Sequence, residues 1–314
     1  MPLSRLLARL VLVGAVTLPL RQAVAQQNLG HRILGTLGLD AGSQPSAGVS
    51  VDDRALLYAS NSLRDRYGRE LPVGLRMDVF SDALGVLFAL RVPALATYVN
   101  GAIGVPLSTV RVNTTNPIAS LDAFGLGDLY VQPLKLGWRL PHLDLGVGFA
   151  FYAPTGRYEP GGIGNVGQGQ WTEEATTGGT VFFDRARTWQ LSALASYDVN
   201  SRKLGVDITR GDTVQIQGGA GKLFLGLLNV GIVGYGLWQT TDNTGSALPP
   251  QLLGLRDQAW GLGPEVDVII RVARLRITVR YTHDIEAKAR PLGQLLVVGL
   301  TWRAWEPPQG SALR

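Results

Sequence analysis

Apolar and polar side chains alternate along most of this chain, one residue after another. Over 143–153 one side carries Leu143, Leu145, Val147, Phe149 and Phe151, and the other carries Asp144, Gly146, Gly148, Ala150 and Tyr152. Over 189–199 Trp189, Leu191, Ala193, Ala195, Tyr197 and Val199 share one side, with Gln190, Ser192, Ser196 and Asp198 on the other. The stretches 265–272 and 274–282 repeat the pattern. Successive side chains of a strand point to opposite faces, so each stretch reads as a strand with one apolar and one polar face. The apolar run 223–238, LFLGLLNVGIVGYGLW, is short for a membrane helix, interrupted by Asn229 and rich in glycine. It reads as two strand ends around a tight turn.

Sheets of this kind turn the apolar face inward in a soluble sandwich and outward in a membrane barrel, where the polar face lines the lumen. Connection lengths separate the two. About twelve strands are expected, near 47–59, 73–90, 95–112, 125–140, 143–154, 171–184, 188–199, 212–224, 228–240, 259–272, 275–283 and 293–304. The links near 91–94, 141–142, 184–188, 224–227 and 273–274 are short. Those near 60–72, 113–124, 155–170, 200–211, 241–258 and 284–292 are long. Even strand number, short periplasmic turns and long outer loops belong to outer-membrane barrels, whereas Greek-key crossings in a sandwich do not keep that rhythm. The seven tryptophans all fall near expected strand ends, as aromatic girdles at two membrane interfaces require. The expected fold is therefore all-β: an antiparallel transmembrane β-barrel of about twelve strands in the outer membrane of a two-membrane bacterium, with the lipid bilayer as its solvent.

Hairpin register gives an independent check. A two-residue turn at Pro141 and His142 pairs Leu140 with Leu143, Trp138 with Leu145, Leu136 with Val147 and Leu134 with Phe149, and sets Arg139 opposite Asp144. A turn at Ala273 and Arg274 pairs Val272 with Leu275, Ile270 with Ile277 and Val268 with Val279, and sets Asp267 opposite Arg280. Both give an unbroken apolar face and an ion pair on the polar one, which a one-residue slip would scramble.

The ends of the chain differ from its middle. Residues 1–25 carry Arg5 and Arg9, then an uncharged apolar stretch from Leu10 to Leu20, then Ala23-Val24-Ala25. That is the layout of a signal peptide cut before Gln26. Residues 26–46 are too short and glycine-rich for a domain, and are expected to be a periplasmic lead-in or else a small plug. The barrel is assigned to 47–305 and a polar tail to 306–314. The net charge of +5 owes Arg5, Arg9 and Arg21 to the acid-free leader, and no basic stripe or reading motif points to nucleic acid. The absence of cysteine excludes disulfides and thiolate metal sites.

Several segments resemble one outer-membrane family. They are Gly125-Leu126-Gly127-Asp128-Leu129-Tyr130-Val131-Gln132-Pro133 running on to Gly137-Trp138, and Gly148-Phe149-Ala150-Phe151-Tyr152-Ala153-Pro154-Thr155-Gly156-Arg157-Tyr158. The stretch from Phe183 to Tyr197, then 207–212 (DITRGD), Val233-Gly234-Tyr235 and Gly263-Pro264-Glu265 follow in order. Together they resemble the proteins of the phenol meta-pathway, also described as SphA-like transporters, over about residues 47–303. The resemblance implies a β-barrel for passive uptake of small hydrophobic or aromatic solutes, with no cofactor. Such barrels end on a strand with a terminal aromatic residue that the outer-membrane assembly machinery recognises. Here the polar residues 306–314 follow Trp305, a departure from that pattern.

Little else points to chemistry. His31, His142 and His283 are the only histidines, and no two share a strand face or a helical spacing, so no metal site is read. His283 with Ser246 or Asn243 has no triad-like spacing, and the chain is not read as an enzyme. The glycines of 161–167 lack the strand-to-helix junction of a phosphate loop. The candidate functional residues are those expected to face the lumen: Lys135, Arg139, Asp144, Asp267, Arg271, Arg276 and Arg280. They are either ion pairs that fill a narrow barrel, the favoured reading, or a constriction that selects solutes. A structural or adhesive barrel with a blocked lumen is the alternative to a channel.

Overall fold

The computed structural model describes residues 30–31, 34–162 and 164–308, so the expected signal peptide lies outside the described residues. Thirteen strand segments follow in order: β1 (Gly48–Leu63), β2 (Arg76–Val92), β3 (Thr97–Thr115), β4 (Ile118–Leu126), β5 (Leu129–Arg139), β6 (Leu143–Ala153), β7 (Thr172–Phe182), β8 (Trp189–Asn200), β9 (Thr213–Phe224), β10 (Leu228–Gln239), β11 (Gln258–Ile270), β12 (Leu275–Lys288) and β13 (Pro291–Trp305). All pairings are antiparallel. β1 bonds to both β2 and β13, which closes the sheet. β4 and β5 are two halves of one wall strand broken at Gly127 and Asp128, since β3 pairs with β5 over Tyr98–Gly104 and with β4 over Leu107–Thr115. The wall is thus a closed antiparallel barrel of twelve strands.

Burial runs inside out. On β8, Leu191 is 50% exposed while its neighbour Ser192 is 2% exposed. Outward-facing Leu84, Phe149, Ile232 and Leu262 belong to the same exposed apolar surface, and Gln190, Thr180, Gln215 and Asp198 are buried inside. Only lipid makes that arrangement favourable, because each exposed leucine would otherwise cost about 1.5–3 kcal/mol against water. A strand such as β10, with 12 residues, rises roughly 30 Å at the usual rise per residue and a tilt near 40°, enough to cross a bilayer. Trp138, Trp189, Trp302 and Trp305 mark the end with short turns; Trp171, Trp238 and Trp260 mark the other. The Lys222 ammonium lies 4.6 Å from the centre of the Trp189 ring at the first girdle. Among the described residues no helix is long and apolar enough to cross a membrane. The barrel is an outer-membrane one.

The register expected around Pro141 and His142 is present: Leu134 pairs with Phe149, Leu136 with Val147, Trp138 with Leu145 and Arg139 with Asp144. Three expectations need correction. The link expected at 273–274 is a four-residue turn, in which Arg271–Ala273 form one 3-10 turn and Arg274 takes a left-handed conformation at φ 53°. The register therefore moves by two: Ile270 pairs with Leu275, Val268 with Ile277 and Glu265, not Asp267, with Arg280. A shift of two keeps every side chain on its face, so alternation could not detect it. The long links expected at 113–124 and 284–292 are tight turns at Asn116-Pro117 and Ala289-Arg290, because β3, β4, β12 and β13 continue their alternation beyond the bilayer. The polarity of those strand tips mimics loops. The segment 223–238 does form two strands around Leu225–Leu227.

Candidate functional site: a lumen shared with the N-terminal segment

The described part of 26–46 does not lead in beneath the barrel; it lies inside. Its amide groups bond to side chains of the wall: Leu37 N–H donates to Gln217, Leu39 N–H to Glu265, Gly42 N–H to Ser192 and Gln44 N–H to Asp144. Ser43 meets Thr180 at 2.8 Å, and Gln44 exchanges side-chain bonds with Asn100. A segment without a sheet partner must satisfy its backbone elsewhere; here two turns, Ala41 N–H to Gly38 and Ser43 N–H to Asp40, and the wall's polar side chains do so. Leu39 is fully buried over Gly219, Gly221 and Gly231, where a Cβ on Gly231 would stand 2.6 Å from the leucine. Gly38 passes so close to Glu265 that no side chain fits there.

Most candidate lumen residues serve this contact. Arg280 donates to Glu265 and to the carbonyls of Gly35 and Thr36, so one guanidinium ties β11, β12 and the segment together. Arg276 pairs with Asp40. Asp144 accepts from Gln44, lies 4.0 Å from Arg139 and is closer, 2.7 Å, to Arg187 of the β7–β8 turn. Arg139 also donates to the carbonyl of Gln44. Asp267 bonds to Thr278 and Asn229 within the wall. Lys135 lines the open space beside the segment. Arg271 differs from expectation: it sits in the turn at the rim and donates to the Gly226 carbonyl, because the longer turn takes it off the strand. Sequence reasoning missed Arg187, Asp40 and the inward glutamines and serines, since the partners of these groups lie in another part of the chain.

The segment leaves one arc of the lumen empty. A cavity of about 1200 Å³ is bounded by Ser81, Ala83, Gly85, Ala102, Gly104 and Ser108 of β2 and β3, with Lys135 and Asp52 on its margins. Toward the long loops a smaller space of about 120 Å³ lies among Leu75, Met77, Val112, Leu121, Leu34 and Tyr235. Leu63, Leu75 and Val112 form an apolar cluster with Val73, Met77, Val110 and Leu121. Apolar side chains also face inward at Tyr235, Leu237 and Ala259, packed with Leu34, and at Leu56, Leu295 and Val297; the β2–β4 patch differs in bordering both cavities.

Charge gathers around the outer mouth. Arg210 donates to both oxygens of Asp257, and Arg290 lies 3.3 Å from the same carboxylate. Burial alone would raise the Asp257 pKa, but the two guanidinium charges and the hydrogen bonds hold it below the usual carboxylate range. Lys203, in the 201–212 loop, is pushed down to about 8, chiefly by burial and further by the Arg210 charge. His31 bridges Thr172 and Asp128, each at 2.8 Å, with its ring stacked on Tyr152. Among the described residues no group of three or more His, Asp or Glu is placed to hold a metal ion. Ser246 bonds to Asp207, while Asn243 bonds to Gly211 and Gln239 and His283 faces outward on β12. The three do not form a triad.

Comparison with known proteins agrees with this geometry. The chain superposes on an outer membrane channel from Pseudomonas putida F1 with a TM-score of 0.72 at 14% identity, covering 87% of this chain and 99% of that one. The beta domain of the Bordetella autotransporter BrkA follows at 0.52 and 11% identity, covering 82% and 99%. Likeness at such identities shows the shared fold. No curated protein matches the sequence. The model of the family described as "Putative MetA-pathway of phenol degradation" matches residues 41–298, and this outer-membrane barrel belongs to that family.

Proposed function

We propose that the protein is a passive channel for small hydrophobic or aromatic compounds, and not an enzyme. The observation that carries this is the apolar patch at the outer end of the lumen, formed by Leu75, Met77, Val110, Val112 and Leu121, opening onto the 1200 Å³ cavity. Water-filled pores gain nothing from inward leucine and valine, whereas an apolar solute sheds its hydration there. The family's phenol-pathway description and the outer-membrane channel from Pseudomonas putida point the same way. Passive movement down a gradient needs no cofactor or energy source. Lys135, Arg139, Asp144, Asp267, Arg276 and Arg280 then act as scaffold charges, fixing the N-terminal segment and the inner wall, with Lys135 and Arg139 also bordering the path and Arg271 at its rim. β13, ending at Trp305, is the strand presented to the outer-membrane assembly machinery.

The test is uptake by intact cells at limiting phenol concentration, comparing wild type with a deletion strain. Faster initial uptake in wild type, restored by the gene in trans, is the expected result. Equal rates would remove the channel reading.

A further inference from the structure

We infer that solute passes beside a stationary N-terminal segment, along a lane built by β2 and β3, and that Val79 and Val110 form its selective step. This rests on the channel reading above and adds the route and its filter.

The segment grips only part of the wall. Its hydrogen bonds and ion pairs reach β5, β6, β7, β8, β9, β11 and β12, with flanking contacts to Arg54 on β1 and Asn100 on β3. Among the described residues none reaches β2. Gly38 and Gly42 press against β11 and β7, and Leu39 against the glycines of β9 and β10. The described segment leaves β2 uncontacted. The larger cavity runs between it and β2 and β3, and the smaller is walled by Leu75, Met77, Val79, Val110 and Val112 on one side and by Thr172, Asn200, Gln215 and Tyr235 on the other.

The two cavities meet at four residues common to their walls: Gly30, His31, Val79 and Val110. Val79 and Val110 are direct cross-strand partners, and both face inward. Above them stand Leu75, Met77 and Val112. Below them Ser81 and Ser108, the next inward pair, share a hydrogen bond of 2.7 Å. Beyond the serines the lane passes Ala83 and Pro106, then the glycine pair Gly85 and Gly104, which leave the space open, and then Leu87 and Ala102. Large apolar groups thus give way within one inward step to a hydroxyl pair and then to small residues. That order fits a compact solute with an apolar body and one hydrogen-bonding group: the body loses water at the valines, and the polar group meets the hydroxyls directly after. A solute with several hydroxyls would have to shed its water with no partner at the valines.

The chain has no cysteine, so engineered thiols face no background. Ser43→Cys with Thr180→Cys locks the inner end of the segment, and His31→Cys with Thr172→Cys locks the outer end. Each pair is closed by oxidation or by dibromobimane, whose fluorescence reports the cross-link. With both locks closed, initial phenol uptake by intact cells is expected to stay within twofold of the reduced protein. Val79→Trp is expected to lower uptake at least tenfold in locked and unlocked protein alike. Val79→Ala, which carries little folding risk, is expected to raise uptake of a bulkier probe, naphthalene, relative to phenol. Ser81→Ala with Ser108→Ala should lower phenol uptake relative to toluene. Loss of uptake on closing the locks, with recovery on reduction, would overturn the inference, as would indifference to both Val79 variants. Wild-type uptake no faster than in the deletion strain is a different outcome; it removes the channel reading itself.

Discussion

The two arcs of the lumen carry opposite chemistry on the same strand geometry. From β6 to β12 the inner face presents mostly amides, hydroxyls and charges, with Val233, Tyr235 and Leu237 of β10 among them; the N-terminal segment takes several of the polar groups as partners, and others, such as Asp198 with Gln215 and Asp267 with Asn229, pair within the wall. From β2 to β4 the inner face is leucine, methionine and valine at one end and serine, alanine and glycine at the other. One arc holds peptide; the other leaves space. Polar density inside a barrel is therefore not by itself a measure of how wet the pore is, because here it is used to satisfy a backbone that has no strand beside it.

The largest expected effect breaks the gripping arc. Arg280→Ala leaves Glu265 buried without its cation and frees two carbonyls of the segment, so stability should fall by about 3–5 kcal/mol. The measurement is the midpoint of urea unfolding in lipid vesicles, with protease accessibility of residues 34–46 as a local readout. A loss below about 1 kcal/mol, typical of an exposed pair, would mean that water already reaches Glu265 and that the grip is loose.

Leu39→Ala tests the same arc through packing. The side chain is fully buried over a floor of glycines that cannot collapse to fill the space, so about 2–4 kcal/mol should be lost. The inner β2–β3 arc predicts a contrast: Ser81→Ala, in a wall that faces open space, should change stability by about 1 kcal/mol or less. Equal losses at the two positions would erase the difference between the arcs.

A third effect lies where the gripping arc meets the outer loops. Burial lowers the Lys203 pKa to about 8 in the folded protein, below the ordinary lysine value. Below pH 8 the group is charged in both states and the folded state bears the full penalty. Between about 8 and the unfolded value near 10.4 the unfolded chain binds more protons, so stability should rise with pH, by at most about 1.4 kcal/mol per unit. Lys203→Met should flatten that slope in urea titrations from pH 7.5 to 10. A slope that survives the substitution would assign it to another group.

Much of this was legible from alternation. Period two fixed which face of each strand meets lipid, and the Pro141–His142 hairpin came out in register because Arg139 and Asp144 could be seen to oppose each other. The second hairpin slipped by two because the parity rule is blind to even shifts, and Arg271 left the wall with it. Arg139 and Asp144 were expected opposite each other, but the partners of Arg276 and Arg280 in the N-terminal segment were not. Asp40, Gly38 and Leu39 lie more than 200 residues from Arg276 and Glu265, and no local pattern links them. The apolar patch was hidden for a related reason. Leu75, Met77, Val79, Val110 and Val112 alternate with outward residues that include Asp78 and Arg111, so those strand tips read as loops or as ordinary wall.

The smallest expected effect sits on the lipid side of the slack arc. Asp53 of β1 and Asp82 of β2 share the outward parity of Leu57, Phe80 and Leu84, and the register sets Asp53 beside Leu84 and Leu300 and Asp82 beside Ala55 and Leu107. Two carboxylates are thus diagonal neighbours among side chains that face lipid, and a charge at such a position costs less for an acid than the 2–4 kcal/mol of a central arginine or lysine. Asp82→Asn removes the second carboxylate while keeping its shape and a hydrogen-bonding group toward Asp53. Stability in vesicles should rise by about 1 kcal/mol, with no change in phenol uptake, because the lane lies on the other face of the same strand. A gain confined to detergent and absent in a bilayer would place the pair at the headgroups instead of among the acyl chains. A fall in uptake would couple the outer face of β2 to the lane and remove the separation between wall and path on which the comparison of the two arcs depends.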